Sequence, residues 1–487
     1  MRRRLFSCFL VVSTLLFPGA AAFAQEQTVP SKKISLIEVI DRAKALLKDE
    51  LKRSLAATKE PKVVWSKNVE VDITLAVWNR DTDAITLVNA KKNGQSLKLV
   101  TAFAQPITVS RSAGIYSEYR LPPESRSLVA GVIYPVMTEI KVKKKKGYVL
   151  NNAVYVPSAN DFYTPELLAA GSNYLSFLIQ DAFDDMKTRG VRSRSFPDRL
   201  LVDVVDPYLI KSVVVTEHTS QRSLVSGDSD HVVGEFLIEF ATNKDDAYGL
   251  ALSHAGAAGL VQFIPSTYNL LVKRLPELGL IPDFKAGMSD HKNAIKAQVA
   301  LLDINLAAMP QEIRDHYRSN PRSAGELMAA AYNGGATRVR RAYLFWGDDW
   351  SDSHQAELDG LQRKAASLKQ RIADLKKQAT KSKTAKDTKA IKAALAKAQR
   401  ERDEAVVRIA VLKKANLRAE TVGYVAKIRK SYSMFSAGAF ATPEAPSGGL
   451  PLPPVETAAV SPSEAAVGPG KVCFADGSCM TAGESGT

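Results

Sequence analysis

The sequence predicts an α+β multidomain chain: a small β-rich domain followed by a mainly helical domain, into which an antiparallel coiled-coil hairpin is inserted. Three observations carry this expectation. Short β-type runs divided by turn residues crowd the stretch from Pro61 to Pro157. Amphipathic helical spacing takes over from Pro165 onward. Between Trp350 and Leu417 the apolar residues step by three and four in the alternation of a heptad seam. A chain of 487 residues is long enough for two to three domains, and 45% hydrophobic with 24% charged residues is a globular composition.

The first segment, 1–24, has Arg2, Arg3 and Arg4, an apolar core from Leu5 to Phe17, and small residues ending Ala22-Phe23-Ala24. This is the pattern of a secretory signal peptide with an A-x-A cleavage site; a retained amino-terminal anchor is the alternative. Cys8 lies inside the apolar core rather than at the cleavage point, which argues against a lipoprotein. No other stretch approaches the roughly 18 consecutive apolar residues of a membrane span. The mature protein is therefore expected to be soluble, exported and periplasmic. It retains Cys473 and Cys479, close enough for a small loop disulfide in an oxidising compartment. Whether they are bridged stays open. No histidine stands near either thiol, so no metal is expected.

The domain that fills 25–200 begins with an amphipathic helix over Ser35 to Leu55, its apolar positions at Leu36, Val39, Ile40, Ala43, Leu46, Leu47 and Leu51, with Ser35 and Glu38 at capping-box spacing. The β-type runs follow at Val69 to Val77, Ala84 to Val88, Ser96 to Phe103, Ile107 to Val109, Ser127 to Tyr134 and Tyr148 to Val156. The turn residues Asn79-Arg80-Asp81 and Lys92-Asn93-Gly94 separate runs. Lys143 to Lys146 reads as an exposed loop, with a nucleic-acid or lipid contact as the sharper alternative. The sequence assigns this domain no purpose. Pro165 to Arg189 reads as a helix at the junction with the next domain.

In the helical domain, 201–435, a new helix starts at Asp206-Pro207, aspartate as N-cap and proline at N1. Ile210, Val213, Val214 and Glu217 stand at i, i+3, i+4 and i+7, which places a carboxylate on the face that the helix buries. Burial disfavours its ionised form and keeps a proton available near neutral pH. The commoner fate of such a residue is pairing with a neighbouring base. Ser229 to Thr242 reads as a further helix carrying the rival acids Glu235 and Glu239; it buries Val233, Phe236, Leu237 and Phe240, leaving Glu239 on the flank and second in rank. The stretch from Ser253 to Tyr268, SHAGAAGLVQFIPSTY, allows close backbone approach at Gly256 to Gly259, places one amide, Gln262, in an apolar run, and can start a helix at Tyr268 after Pro265. Helix-like spacing follows at Asp290 to Leu306 and at Ala324 to Tyr332, closed by Tyr332 and Asn333 before Gly334-Gly335.

The hairpin, 357–414, has one arm with Leu358, Leu361, Ala365, Leu368, Ile372, Leu375 and Ala379 on the seam, and a second with Ile391, Leu395, Ala398, Ala405, Ile409 and Leu412; the polar tract Thr380 to Lys389 joins them. It holds seventeen Lys or Arg against seven Asp or Glu, a large part of the chain's net charge of +15. The last segment, 436–487, rich in Pro, Ala, Ser and Gly from Thr442 to Gly470, reads as a flexible tail.

Four elements in order, the Ser253 loop, Gly259-Leu260-Val261-Gln262, Ala331-Tyr332-Asn333-Gly334 and Glu420-Thr421-Val422-Gly423-Tyr424-Val425, resemble those of the family I lytic transglycosylases, whose SLT domain has a goose-lysozyme-like helical fold. The resemblance covers roughly 202–432. Val261 replaces the family's usual methionine, His218 stands where serine is usual, and the distance from Glu217 to Ser253 is longer than the usual loop. The resemblance implies Glu217 as the catalytic acid and base, and Ser253, Gln262, Tyr332 and Asn333 as substrate-binding residues, with Tyr332 over the glutamate and Glu420 supporting the fold or the cleft wall. It implies cleavage of the MurNAc-GlcNAc β-1,4 bond of peptidoglycan with formation of 1,6-anhydroMurNAc ends, without cofactor or metal, and leaves room for service to an envelope-spanning secretion or conjugation machine. A goose-type lysozyme hydrolase and a catalytically silent peptidoglycan-binding scaffold stay open. The expected partners are glycan strands, together with a protein partner or the wall itself at the hairpin. Export weakens the nucleic-acid reading of the positive charge, and the peptide carboxylates of the wall would attract a basic enzyme.

Overall fold

The computed structural model describes residues 34–57, 63–142, 145–253, 255–440, 471–473 and 479–481. The signal-peptide segment 1–24 and the stretch 442–470 lie outside them. Helix α1 (Leu36–Ala57) lays Val39, Ile40, Ala43 and Leu47 on a six-stranded antiparallel sheet. The sheet order is β1 (Val63–Val64), β8 (Lys145–Tyr155), β7 (Ser127–Val142), β2 (Val71–Asn79), β3 (Ile85–Asn93) and β4 (Ser96–Leu99); β5 (Thr108–Arg111) and β6 (Glu118–Arg120) pair separately. Strand β2 alternates buried and exposed from Val71 to Ile73, then is buried from Leu75 to Trp78. There α1 covers the second face: Ala76 lies opposite Gly131, and a Cβ at Gly131 would meet Leu47 at 2.6 Å.

Strands β7 and β8 run further than the sequence suggests, with Thr138 opposite Val149 and Lys141 opposite Lys146. In the sequence Pro135 and the Lys145-Lys146-Gly147 tract interrupt the runs that this extension continues, although Val136 and Ile140 on β7 keep an apolar alternation and β1 pairs with β8 at Val149. Lys145 and Lys146 accordingly belong to a strand rather than a loop, and Lys146 pairs with Glu139 at 2.6 Å.

The helical part opens with α2 (Pro165–Thr188), capped by the Thr164 hydroxyl, which accepts from the Leu167 amide. It crosses α5 (Ser229–Asn243) at Gly171, where a Cβ would stand 1.9 Å from the Leu237 carbonyl oxygen; only glycine permits that approach. Between them in sequence lie α3 (Pro207–His218) and the short α4 (Gln221–Ser226). After the Ser253 loop come α6 (Pro265–Arg274), α7 (Phe284–Ser289), α8 (His291–Ala307), α9 (Gln311–Ser319), α10 (Pro321–Gly334) and α11 (Ala336–Trp346). Helix α6 starts at Pro265, three residues before the expected Tyr268, because proline fits N1 rather than ending the run. Helix α8 is buried along most of its length and α2, α3 and α10 pack against it. The sheet is tied to this part by Asn243, whose amide donates to the Val156 carbonyl at 3.1 Å and accepts from the Val156 amide at 2.8 Å.

Helices α12 (Gln355–Lys381) and α13 (Ala385–Ala415) pack on each other through Leu368, Ile372 and Ala398, flanked by Leu375 and Leu395. Their connection is only 382–384, shorter than the polar tract in the sequence, because Thr384 caps α13 by accepting from the Asp387 amide. Helix α14 (Ala419–Ser436) then returns to pack on α3, α4 and α10. In the stretch read as a flexible tail, β9 (Lys471–Cys473) pairs with β10 (Cys479–Thr481), and the backbone register sets Cys473 opposite Cys479. Among the described residues no helix is long and apolar enough to cross a membrane.

Candidate active site

The site is built on the last turn of α3. Asp206 accepts from the Tyr208 amide at 2.8 Å and takes a hydrogen bond from the Tyr432 hydroxyl of α14, so the start of the helix is fixed twice. Leu209, Ile210, Val213, Val214 and Val215 are buried, and the helix ends at Glu217 and His218. Glu217 keeps partial solvent access, yet desolvation dominates its chemistry and pushes its carboxyl up to about 7. Two neighbours on α14 oppose the shift: the Tyr424 hydroxyl donates to Oε1 at 2.7 Å, and the Lys427 ammonium adds its charge. Glu420 raises it further. Lys427 also donates to the carbonyls of Thr216 and Thr219 at 2.6 and 2.7 Å, satisfying the end of α3 where carbonyls lack helical partners.

The Ser253 loop is held against this helix end from two sides. The His218 Nε2–H donates to the Leu260 carbonyl at 2.8 Å, and the ring lies 4.1 Å from that of Tyr248. Burial keeps His218 neutral, its midpoint pushed down to about 4. From α10, the Tyr332 hydroxyl donates to the Val261 carbonyl at 2.6 Å. Within the loop the Ser253 hydroxyl accepts from the Ala257 amide at 2.9 Å and the Ser253 amide donates to the Ala257 carbonyl at 2.8 Å. Gln262 sits at φ +49, its side-chain amide donating to the Gly259 carbonyl at 2.8 Å. A left-handed backbone at a non-glycine residue costs energy and clusters at functional sites. Gly259, at φ +70, passes so close to α7 that a Cβ there would stand 2.2 Å from the Met288 carbonyl oxygen.

Of the residues singled out by sequence, Tyr332 lies beside Glu217 and is bonded to the loop that carries Ser253 and Gln262, with Asn333 next to it on α10. Tyr332 lies near Glu217 and feels its charge, but its hydroxyl is spent on Val261; the tyrosine bonded to the carboxylate is Tyr424. Asn333 accepts from the Thr421 hydroxyl at 2.9 Å, joining α10 to α14. Ser253, Gln262, Tyr332 and Asn333 all remain partly exposed. Tyr424 and Lys427 were missed by sequence as site residues, although Glu420, Tyr424 and Lys427 stand at i, i+4 and i+7 and so share a helix face. Glu239 is not simply on a flank: one of its carboxylate oxygens is buried without a hydrogen-bond partner, beside Tyr116 of the β-rich part and Lys44 of α1, and desolvation pushes it up to about 8. Among the described residues no group of three or more His, Cys, Asp or Glu could hold a metal ion.

Residues 205–344 match the family model described as the transglycosylase SLT domain. The chain carries an SLT domain. No curated protein and no solved structure matches the chain. The match begins beside the cap of α3, contains Glu217, the Ser253 loop, Tyr332 and Asn333, and ends within α11; α14 lies beyond it. SLT-domain family members are lytic transglycosylases, so the substrate class is peptidoglycan, which lies outside the cytoplasm.

Proposed function

We propose that the SLT domain is a periplasmic lytic transglycosylase that cleaves the MurNAc-GlcNAc β-1,4 bond of peptidoglycan, with Glu217 as its one acid and base. The observation that supports this most is a carboxyl poised at about 7, desolvated on one side and held by a single phenol on the other. Such a group is present in both protonation states near neutral pH, and the reaction needs both. Protonated Glu217 gives its proton to the bridging oxygen as the C1–O bond breaks. The carboxylate so formed takes the proton of the sugar's own 6-hydroxyl, whose oxygen closes on C1 to give the 1,6-anhydro ring. No water is consumed, and Glu217 ends protonated as it began.

The hydrogen bond from Tyr424 fixes Oε1, leaving Oε2 as the atom that faces substrate, and Lys427 holds the helix end that carries the acid. Ser253, Gln262, Tyr332 and Asn333 are assigned to the glycan-binding wall, and the backbone from Gly256 to Gly259 lets a sugar lie close. A hydrolytic reading, as in goose-type lysozymes, draws on Glu420, which is exposed on the first turn of α14 and near enough to raise Glu217. Mass spectrometry of the muropeptides released from purified wall separates the two: anhydro ends are expected, and reducing ends would replace the transglycosylase by a hydrolase. The β-rich part and the base of the α12–α13 arm, with exposed Val406, Val407 and Val411, lie outside the matched stretch, and they are the surfaces through which the enzyme would serve an envelope-spanning secretion or conjugation machine.

A further inference from the structure

The positive charge of the arm formed by α12 and α13 is unevenly placed. From 363 to 397, the part around the 382–384 connection, there are twelve Lys or Arg against two acids, Asp374 and Asp387. The remainder of 357–414, at the base, has five of each sign. All twelve distal cations are exposed, and among the described residues none forms an ion pair. At the base the signs balance and two of the five cations are paired, Arg408 with Glu357 at 3.0 Å and Arg402 with Asp403. The two acids of the distal part are occupied by neutral neighbours, Asp374 by Gln370 and Asp387 by the Thr384 hydroxyl and amide cap.

A run of unpaired cations on a stiff arm is repelled within itself and gains from an external polyanion. We propose that the distal part of the arm is a tether that binds the stem-peptide carboxylates of peptidoglycan, separate from the glycan-cleaving site. The choice of partner rests on the peptidoglycan reading above and on two features of the arm. The distal cations occupy positions on every side of the seam, Lys364 and Arg371 on one flank, Lys369 and Lys376 on the other, and Arg363 and Lys377 opposite it. A surrounding mesh of carboxylates can contact all of these at once, whereas a flat surface meets one side. In addition, the large exposed apolar residues of the arm, Val406, Val407 and Val411, all lie at its base. Insertion into a lipid surface requires an apolar face, and a protein interface requires apolar or aromatic anchors; the distal part offers neither. At 1.5 Å per residue the 27 residues of α12 reach about 40 Å, enough to engage strands well away from the one being cut.

The test is co-sedimentation of the full chain with isolated sacculi, made in the Glu217→Gln background and on ice, with released muropeptides measured in the same samples, so that a failure of Glu217 as the acid shows as digestion and is distinguished from a loss of binding. Lys369, Lys376, Lys377, Lys386, Lys389 and Lys392 are changed together to Gln, and in a matched control to Arg. All six are exposed and off the seam, so thermal melts should match. The Gln variant should bind at least about fivefold less and the Arg variant as the parent does, as expected for retention by charge alone. Binding of the parent should fall when salt rises from about 0.01 M to about 0.15 M, which shortens the Debye length from about 30 Å to about 8 Å. Sacculi with amidated stem-peptide carboxylates should bind no better than the Gln variant binds native ones. Undiminished binding by the Gln variant, or equal binding to amidated sacculi, overturns the proposal. So does a parent that binds anionic vesicles or duplex DNA while leaving sacculi in the supernatant.

Discussion

Replacing Tyr424 by Phe removes one hydrogen bond, from the phenol to Glu217 Oε1 at 2.7 Å, and leaves the ring in place. That bond lowers the Glu217 midpoint against the desolvation that raises it to about 7. A hydrogen bond to a charged group is worth roughly 1.5–3 kcal/mol. The phenol also bonds the protonated carboxyl, more weakly, so about half of that is the differential term. At 1.36 kcal/mol for each tenfold change in the protonation equilibrium, the midpoint should rise by about one, toward 8. Because the protonated form is the one that delivers a proton to the bridging oxygen, the alkaline limb of the pH profile for kcat/KM should move upward by about one pH unit. Activity well below the limb should stay within about tenfold of the parent, the loss there reflecting poorer aim of the carboxyl. Release of muropeptides across pH 5 to 9, with matched thermal melts, measures this. An unmoved limb, or one displaced toward acid, would refute the role given to Tyr424.

Three further outcomes follow from the same packing. Gly259→Ala should destabilise the fold by on the order of 2–4 kcal/mol, because its Cβ would stand 2.2 Å from the Met288 carbonyl oxygen at φ +70; an unchanged denaturation midpoint would contradict the close approach. Glu239, raised to about 8 in the fold, stabilises it only while protonated, and that contribution is lost as pH rises from the unfolded midpoint near 4.5 through 8. Glu239→Gln should therefore gain stability relative to the parent between pH 5 and pH 9, by on the order of 2 kcal/mol or more in urea titrations, and a constant difference across that range would sink the idea. Replacing 357–414 by a short flexible loop should leave a folded domain that still clears wall in a zymogram, whereas global unfolding would make the arm part of the core.

What the sequence made legible, and what it hid, divides along physical lines. The cap at Asp206, the apolar stripe through Ile210, Val213 and Val214, and the carboxylate that continues it are local features, and α3 follows from them directly. The seam of α12 and α13 is equally local, and buried Leu368, Ile372 and Ala398 lie on it. The long β7–β8 ribbon was hidden because Pro135 and the Lys145-Lys146-Gly147 tract interrupt the β-type runs that it joins. Exchange of Tyr332 for Tyr424 at the carboxylate was hidden for another reason: their separate partners depend on how α10 and α14 meet α3, more than 80 residues of chain apart, and no periodicity encodes that. Glu239 was misplaced because helical spacing sees only its own helix, while the groups beside it, Tyr116 and Lys44, come from elsewhere in the chain.

The central claim is that Glu217 is the acid and base of an SLT-domain transglycosylase, and the most direct measurement compares Glu217→Gln with Glu239→Gln on purified sacculi. Glutamine keeps the shape and accepts the Tyr424 hydrogen bond but has no proton to give. With both variants shown to be folded at the assay pH, Glu217→Gln should release anhydro-ended muropeptides on the order of a hundredfold more slowly or worse, and Glu239→Gln at close to the parental rate. Full activity in Glu217→Gln beside an inactive Glu239→Gln would contradict the account and move the catalytic helix from α3 to α5.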